Sequence, residues 1–267
     1  MDDRGDGRAR QAMMAVAREI TAVEVHVMRR ILLGLAACLT LGMATFASSD
    51  LAQAPQRANG NTADQHPDVS GVWFMEGAVE PNLISPKDAS MTPWGEEQLK
   101  INRRQVNPGA ICLPPGVPKS WQVPAPFEII PLKNRILIMY EHEHMFRQIY
   151  MDQHEHAKDL VPTWMGNSIG WWEGDTLVVD TIGFNTLTFV DLWGLPHSDL
   201  LHVIERIRRI RPTVLQVEIT VDDPKAYTKS WKAVREFDLH PDWQVSEEVC
   251  EENNTYLFPH GYAQREP

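Results

Sequence analysis

The stretch NSIGWWEGDTLVVDTIGF, residues 167–184, most constrains the fold. Two runs rich in β-branched and aromatic residues flank Glu173-Gly174-Asp175, a turn signal, so the segment reads as a β-hairpin. Two further segments have the same form. LLHVIERIRRI and VLQVEITV break at Arg211-Pro212-Thr213, and YTKSWKAVREFDL and DWQVSEEVC break at His240-Pro241-Asp242. Upstream, EIIPLKNRILIMYEHEH gives one strand or two, and MFRQIYMD another. Residues 199–210 also fit a helix, because Leu200, Ile204 and Ile207 lie at a 3.6 period; β-branched content and the flanking turns favour a strand. Consecutive hairpins without intervening helices predict an all-β antiparallel meander, closed as a barrel or folded as a sandwich.

The segment ahead of the hairpins is of another kind. From about 79 to 126 it is irregular and Pro-rich, with one short helix expected over TPWGEEQLKINRRQ (92–105). Thr92 is the N-cap, Pro93 stands at N1, and two glutamates favour the first turn. Further back, MRRILLGLAACLTLGMATFASS starts at Met28 with two arginines and an apolar run from Ile31 to Ala47. This is the pattern of a secretory signal peptide over 28–47. A membrane anchor is the alternative, since such a run is at the short edge of what spans a bilayer. LAAC (35–38) also looks like a lipoprotein cleavage box, although the apolar run continues past Cys38. Residues 1–27 then precede the true start, 48–67 form a disordered linker, and 68–267 are expected as a single β-barrel domain. The expected location is periplasmic or secreted, with no stable membrane span after cleavage.

Export decides the cysteines. With Cys38 removed, Cys112 and Cys250 remain, and an even pair in an oxidising compartment is expected as a disulfide. A catalytic thiol is the alternative, but ICLPPG and EVCEEN offer neither cysteine a neighbouring base. The net charge of −11 argues against a nucleic-acid partner, because the basic run ERIRRIR is too short to reverse it. A small-molecule ligand or substrate is the expected partner.

GVW in the opening strand matches the Gly-x-Trp that lipocalin-like proteins place on their first strand, where the Trp plugs the closed end. With PTWMGNSIGWWEGDTLVVDTIGFN (162–185), GLPHSD (194–199), ER (205–206) and TVDDPKAY (220–227), the chain resembles a family of exported bacterial lipocalin-like proteins over about 66 to 254. The resemblance implies a compartment and a lipocalin-like barrel; it implies no activity.

Chemistry is therefore read from residues. EHEHMFRQIYMDQHEH (141–156) holds four of the ten histidines. On a strand His142 and His144 share a face and could ligate zinc or another divalent metal, with His154 or His156 from the return. The alternative is a solvated hairpin loop without a cofactor, with His142 and His144 facing a pocket beside Tyr140 and His154 and His156 in solvent. NTLTFVDLWGLPHSDLLHVIER (185–206) is longer than a hairpin connection needs, and long loops at barrel mouths carry function. Here His197 would act as general acid or base, oriented by Asp191, with Glu205 or Arg147 stabilising charge. Arg147, set among apolar side chains, requires a carboxylate partner, either Asp180 or Glu205. Asn185, Trp164, Trp172 and Trp193 would line a pocket for a flat apolar or sugar-like ligand; core packing is the plainer reading for about half of the aromatic set. No Gly-x-Ser-x-Gly elbow supports Ser198 as a hydrolase nucleophile. Two functions stay open, an acid–base lyase, isomerase or hydrolase and a non-catalytic carrier, with a His-ligated metal enzyme as a third.

Overall fold

The computed structural model describes residues 66–77, 83–254 and 257. The signal peptide, the residues before it and nearly all of the linker lie outside these.

Nine strands form one closed barrel in sequence order. They are β1 (Gly71–Phe74), β2 (Phe127–Pro131), β3 (Arg135–Tyr140), β4 (Phe146–Tyr150), β5 (Asn167–Glu173), β6 (Thr176–Ile182), β7 (His202–Arg211), β8 (Val214–Asp222) and β9 (Trp231–Leu239). β9 closes on β1 through Trp73↔Leu239 and Phe74↔Asp238. The one α-helix among the described residues, α1 (Pro93–Asn102), starts as its sequence requires, with Thr92 Oγ1 accepting the Gly95 N–H at 3.1 Å. No helix among the described residues is long and apolar enough to cross a membrane.

Alternation fills the interior. Ile136 and Ile138 of β3, Val203 and Ile207 of β7, Leu215, Val217, Ile219 and Val221 of β8, and Phe237 of β9 are all buried at two-residue spacing. Trp73, in the Gly-x-Trp of β1, is fully buried; its indole donates to the Val69 carbonyl at 3.1 Å and Arg209 lies over the ring. The lumen is also entered from the Pro-rich segment. Val117 and the 3-10 turn Lys119–Gln122 are buried, and Trp121 packs on Phe127 and Phe237 inside the barrel. The extension plugs the barrel.

Two expectations need correction. β4 and β5 pair in parallel, through Ile149↔Ser168 and Tyr150↔Ile169, so the meander is antiparallel at every seam but this one. The connection over 151–166 is long enough to carry the chain back to the starting end, as a parallel pair requires. Second, DWQVSEEVC is not a strand. β1 already occupies the β9 edge, and 242–249 runs as an irregular tail.

Candidate functional site

Arg147 and Glu205 meet inside the barrel, 2% and 0% exposed. Arg147 Nη1 donates to Glu205 Oε1 at 2.9 Å, Nη2 to Thr181 Oγ1 at 2.9 Å, and Nε to Ser168 Oγ at 3.1 Å, while Nη2 also pairs with Glu205 Oε2. Trp121 Nε1 donates to the same carboxylate. Every nitrogen and oxygen of the pair is engaged, which is the arrangement a buried ion pair needs to persist. Tyr140 stands beside it with its hydroxyl 3.4 Å from Ser120 Oγ, and burial pushes its phenol up. Asp180, the other partner considered for Arg147, points to the opposite face.

One turn further along the plug the balance changes. Lys119 is 1% exposed, yet its Nζ makes one hydrogen bond, to Asn107 Oδ1 at 2.9 Å, and lies 5.4 Å from the centre of the Phe189 ring. Burial lowers its pKa to about 8, against the opposing pull of the Glu143 and Asp191 carboxylates. Those carboxylates are themselves under-satisfied. Asp191 Oδ1 accepts the Trp193 and Leu195 N–H groups at 3.0 and 2.9 Å, whereas its buried Oδ2 makes no well-formed hydrogen bond, although the Leu83 and Gly194 amides also favour the charged carboxylate. Burial pushes the Asp191 carboxyl up. Glu143 Oε1 meets His142 Nε2 as an ion contact at 3.2 Å, and Oε2 has no partner. Glu143 also holds a left-handed backbone, φ 59° and ψ 20°, a strained conformation for a non-glycine residue.

The C-terminal tail secures that strain. Glu248 Oε2 accepts the Glu143 N–H at 3.0 Å and sits 2.9 Å from His142 Nδ1, and Glu141 accepts the Ser246 N–H at 2.8 Å. Cys250 is disulfide-bonded to Cys112, and Asn254 Nδ2 donates to the Ala110 carbonyl at 2.9 Å. One strap thus fastens both segments that feed the cluster, the turn bearing Glu143 and the loop bearing Asn107.

His197 lies against this cluster but not as expected. Its Nδ1 is 3.0 Å from the Ser198 carbonyl, which can only accept, so Nδ1 carries the proton. Nε2 is left to accept the Thr188 hydroxyl at 2.7 Å. Burial holds its pKa down, in keeping with a neutral ring. Asp191 does not orient it: that carboxylate is turned to backbone amides of its own loop. Asp223 anchors Ser198 through Oγ at 2.9 Å, which excludes a free Ser198 nucleophile, and Tyr227 holds Pro196 at 2.7 Å.

The histidine-rich stretch separates into unlike parts. His142 and His144 occupy a 3-10 turn (His142–His144), not a strand, so they share no face. His142 is pinned between two carboxylates and His144 is exposed. His154 is exposed, but His156 is not in solvent. Its Nδ1 is 2.8 Å from Asn167 Oδ1 and its Nε2 is 3.0 Å from Asp180 Oδ1, which His202 Nε2 also meets at 2.8 Å. Among the described residues no three His, Cys, Asp or Glu side chains gather in a metal-binding group.

The aromatic and amide positions divide too. Trp172 packs on the core and stacks on His66, Trp164 is half-buried, and Trp193 is exposed on the loop. Asn185 caps its own turn by accepting the Leu187 N–H at 3.1 Å. Four residues of the cluster, Lys119, Glu143, Asn107 and Thr188, were not singled out by sequence. The one signal for Lys119 is its place in PPGVPKSW, a cation amid prolines and aromatics.

The fold and the cluster define a class: a closed nine-stranded barrel plugged by its own chain, with an under-satisfied acid–base group at the plug. No protein-family model matches the sequence, and comparison with curated proteins finds no match.

Proposed function

We propose that the protein is an exported enzyme doing general acid–base chemistry on a small, partly apolar molecule, with Lys119, Glu143 and Asp191 as the reacting groups. The observation that carries this reading is a lysine amine 1% exposed and within electrostatic reach of two carboxylates, each with a buried oxygen that lacks a hydrogen-bond partner. Buried groups in a merely structural network are satisfied, as around Arg147; unmet ones beside a shifted pKa mark sites of chemistry. With a pKa of about 8, Lys119 presents both its acid and its base form near neutrality, which suits proton transfer. The neutral His197 and Thr188 wall the group from the loop side. Trp121 and its aromatic neighbours occupy the lumen that a carrier of a bulky ligand would need, which favours the enzyme over the carrier. The Cys112–Cys250 bond fits an oxidising, extracytoplasmic location.

The test is depletion of small metabolites from a defined mixture, followed by mass spectrometry, with wild-type protein beside Lys119→Met and Glu143→Gln. The expected result is consumption of at least one compound by wild type, slowed by about 100-fold or more in each variant, the usual worth of a positioned acid or base. Equal consumption by the variants, or none by wild type, overturns the proposal.

A further inference from the structure

The unmatched groups of the cluster describe, by complement, what would sit among them; this inference rests on the acid–base reading above. Lys119 Nζ donates only to Asn107 Oδ1, so it asks for an acceptor. Glu143 Oε2 accepts nothing, so it asks for a donor, while the buried Asp191 Oδ2, also without a hydrogen-bond partner, can carry a proton towards an acceptor. The groups share one small region. A Cβ built on Gly109 would lie 3.7 Å from both Asn107 Oδ1 and Glu143 Oε1, and Asn107 Nδ2 reaches the carbonyl of Leu192, next to Asp191, at 3.4 Å. A simple anion would meet the Glu143 carboxylate, a simple cation would meet the amine, and a hydrocarbon would leave buried polar groups unmet. A carbonyl group with a neighbouring hydroxyl satisfies both demands, its oxygen towards Lys119 and its O–H towards a carboxylate.

We propose that Lys119 forms a covalent imine with a small hydroxylated aldehyde or ketone held between Glu143 and Asp191. The lone pair of Nζ adds to the carbonyl carbon while the carbonyl oxygen takes a proton from the Asp191 carboxyl. The nitrogen of the adduct passes a proton to Glu143. Glu143 returns it to the hydroxyl, which leaves as water as the C=N bond forms. Carbonyl compound, amine and carboxylic acid thus give iminium, water and carboxylate, with no oxidant or reductant. The iminium then draws electrons from the adjacent carbon, where Glu143 can remove a proton. Two features support the step. An amine with a pKa of about 8 is neutral in roughly one molecule in ten at pH 7, against a few in ten thousand for an ordinary lysine. The buried Asp191 favours its protonated form.

The experiment is reductive trapping of the full-length protein at pH 7 with glycolaldehyde and cyanoborohydride, followed by peptide mapping. Lys119 is expected to be alkylated at least about tenfold faster than exposed Lys232, given its larger neutral fraction. Acetaldehyde, which lacks the hydroxyl, is expected to label Lys119 about fivefold more slowly than glycolaldehyde, the worth of one hydrogen bond. Lys119 unlabelled, or labelled no faster than Lys232, overturns the imine; equal labelling by the two aldehydes overturns the hydroxyl requirement. Metabolite turnover with Lys119 unlabelled would leave the acid–base reading standing without the imine. Labelling without turnover of any metabolite would remove the acid–base reading instead.

Discussion

Two buried cations, Arg147 and Lys119, do opposite things in this molecule. Arg147 is matched at every nitrogen, so its contribution is structural and breaking it is expensive. Glu205→Gln should lower unfolding stability in urea by about 3–5 kcal/mol, because it strands a guanidinium 2% exposed. Glu218→Gln, which removes the partner of exposed Lys232, should cost less than about 1 kcal/mol. A small effect of Glu205→Gln in the same titration would mean that the interior pair is not compensated as described. The Arg147–Glu205 pair was readable from sequence because both residues lie at strand positions whose alternation sends them inward. Lys119 was not, because a Pro-rich segment has no period and so assigns no face to its side chains. From sequence His197 reads as a general acid or base oriented by Asp191; its burial and its contact with Thr188 were not legible, since both depend on how the loop folds back.

Between strands, the barrel is uneven. Eight of its nine seams are antiparallel, joined by hairpins, by longer connections or by the β9–β1 closure, while β4 and β5 run parallel over only two register pairs. Gly170 lies at this seam, where an added Cβ would fall 2.7 Å from Ile149 Cγ2. Gly170→Ala should therefore destabilise the fold by about 1–3 kcal/mol, with hydrogen exchange in 167–170 accelerating first. Uniform acceleration across all strands would count against a local seam. The hairpins were legible because each is local: a turn and two alternating runs within twenty residues. The parallel return and the tail that never became a strand were not, because both depend on which edge is already taken. The turn His142–His144 adds a pH response. Burial alone would lower the pKa of His142, but Glu143 and Glu248 more than reverse this and raise it. A raised folded-state pKa gives stability that is complete below the ordinary histidine value and is lost as pH rises through the raised one. Exchange protection of the Glu143 amide should thus fall as pH rises beyond the ordinary histidine value, and His142→Ala should abolish that dependence.

At the scale of the whole chain, the strap makes the site conditional on oxidation. Cys112 and Cys250 are 138 residues apart in sequence, and closing so long a loop contributes about 4–5 kcal/mol in chain-entropy terms. Cys250→Ser should lower stability by up to that amount. It should also lower turnover of any metabolite the wild type consumes, since Glu143 loses part of what holds its strained backbone. Unchanged turnover with reduced stability would confine the bond to a structural role. The bond has another consequence when set beside the 151–166 connection, whose Asp152–Glu155 segment is exposed. A single protease cut there divides the chain into two pieces, one carrying β1 to β4 and Cys112, the other β5 to β9 and Cys250. The β1–β9 ladder and the disulfide both join the pieces across the cut. The nicked protein should run as one species on a denaturing gel and come apart only when thiol is added, so that each half can be made separately and asked to recognise the other.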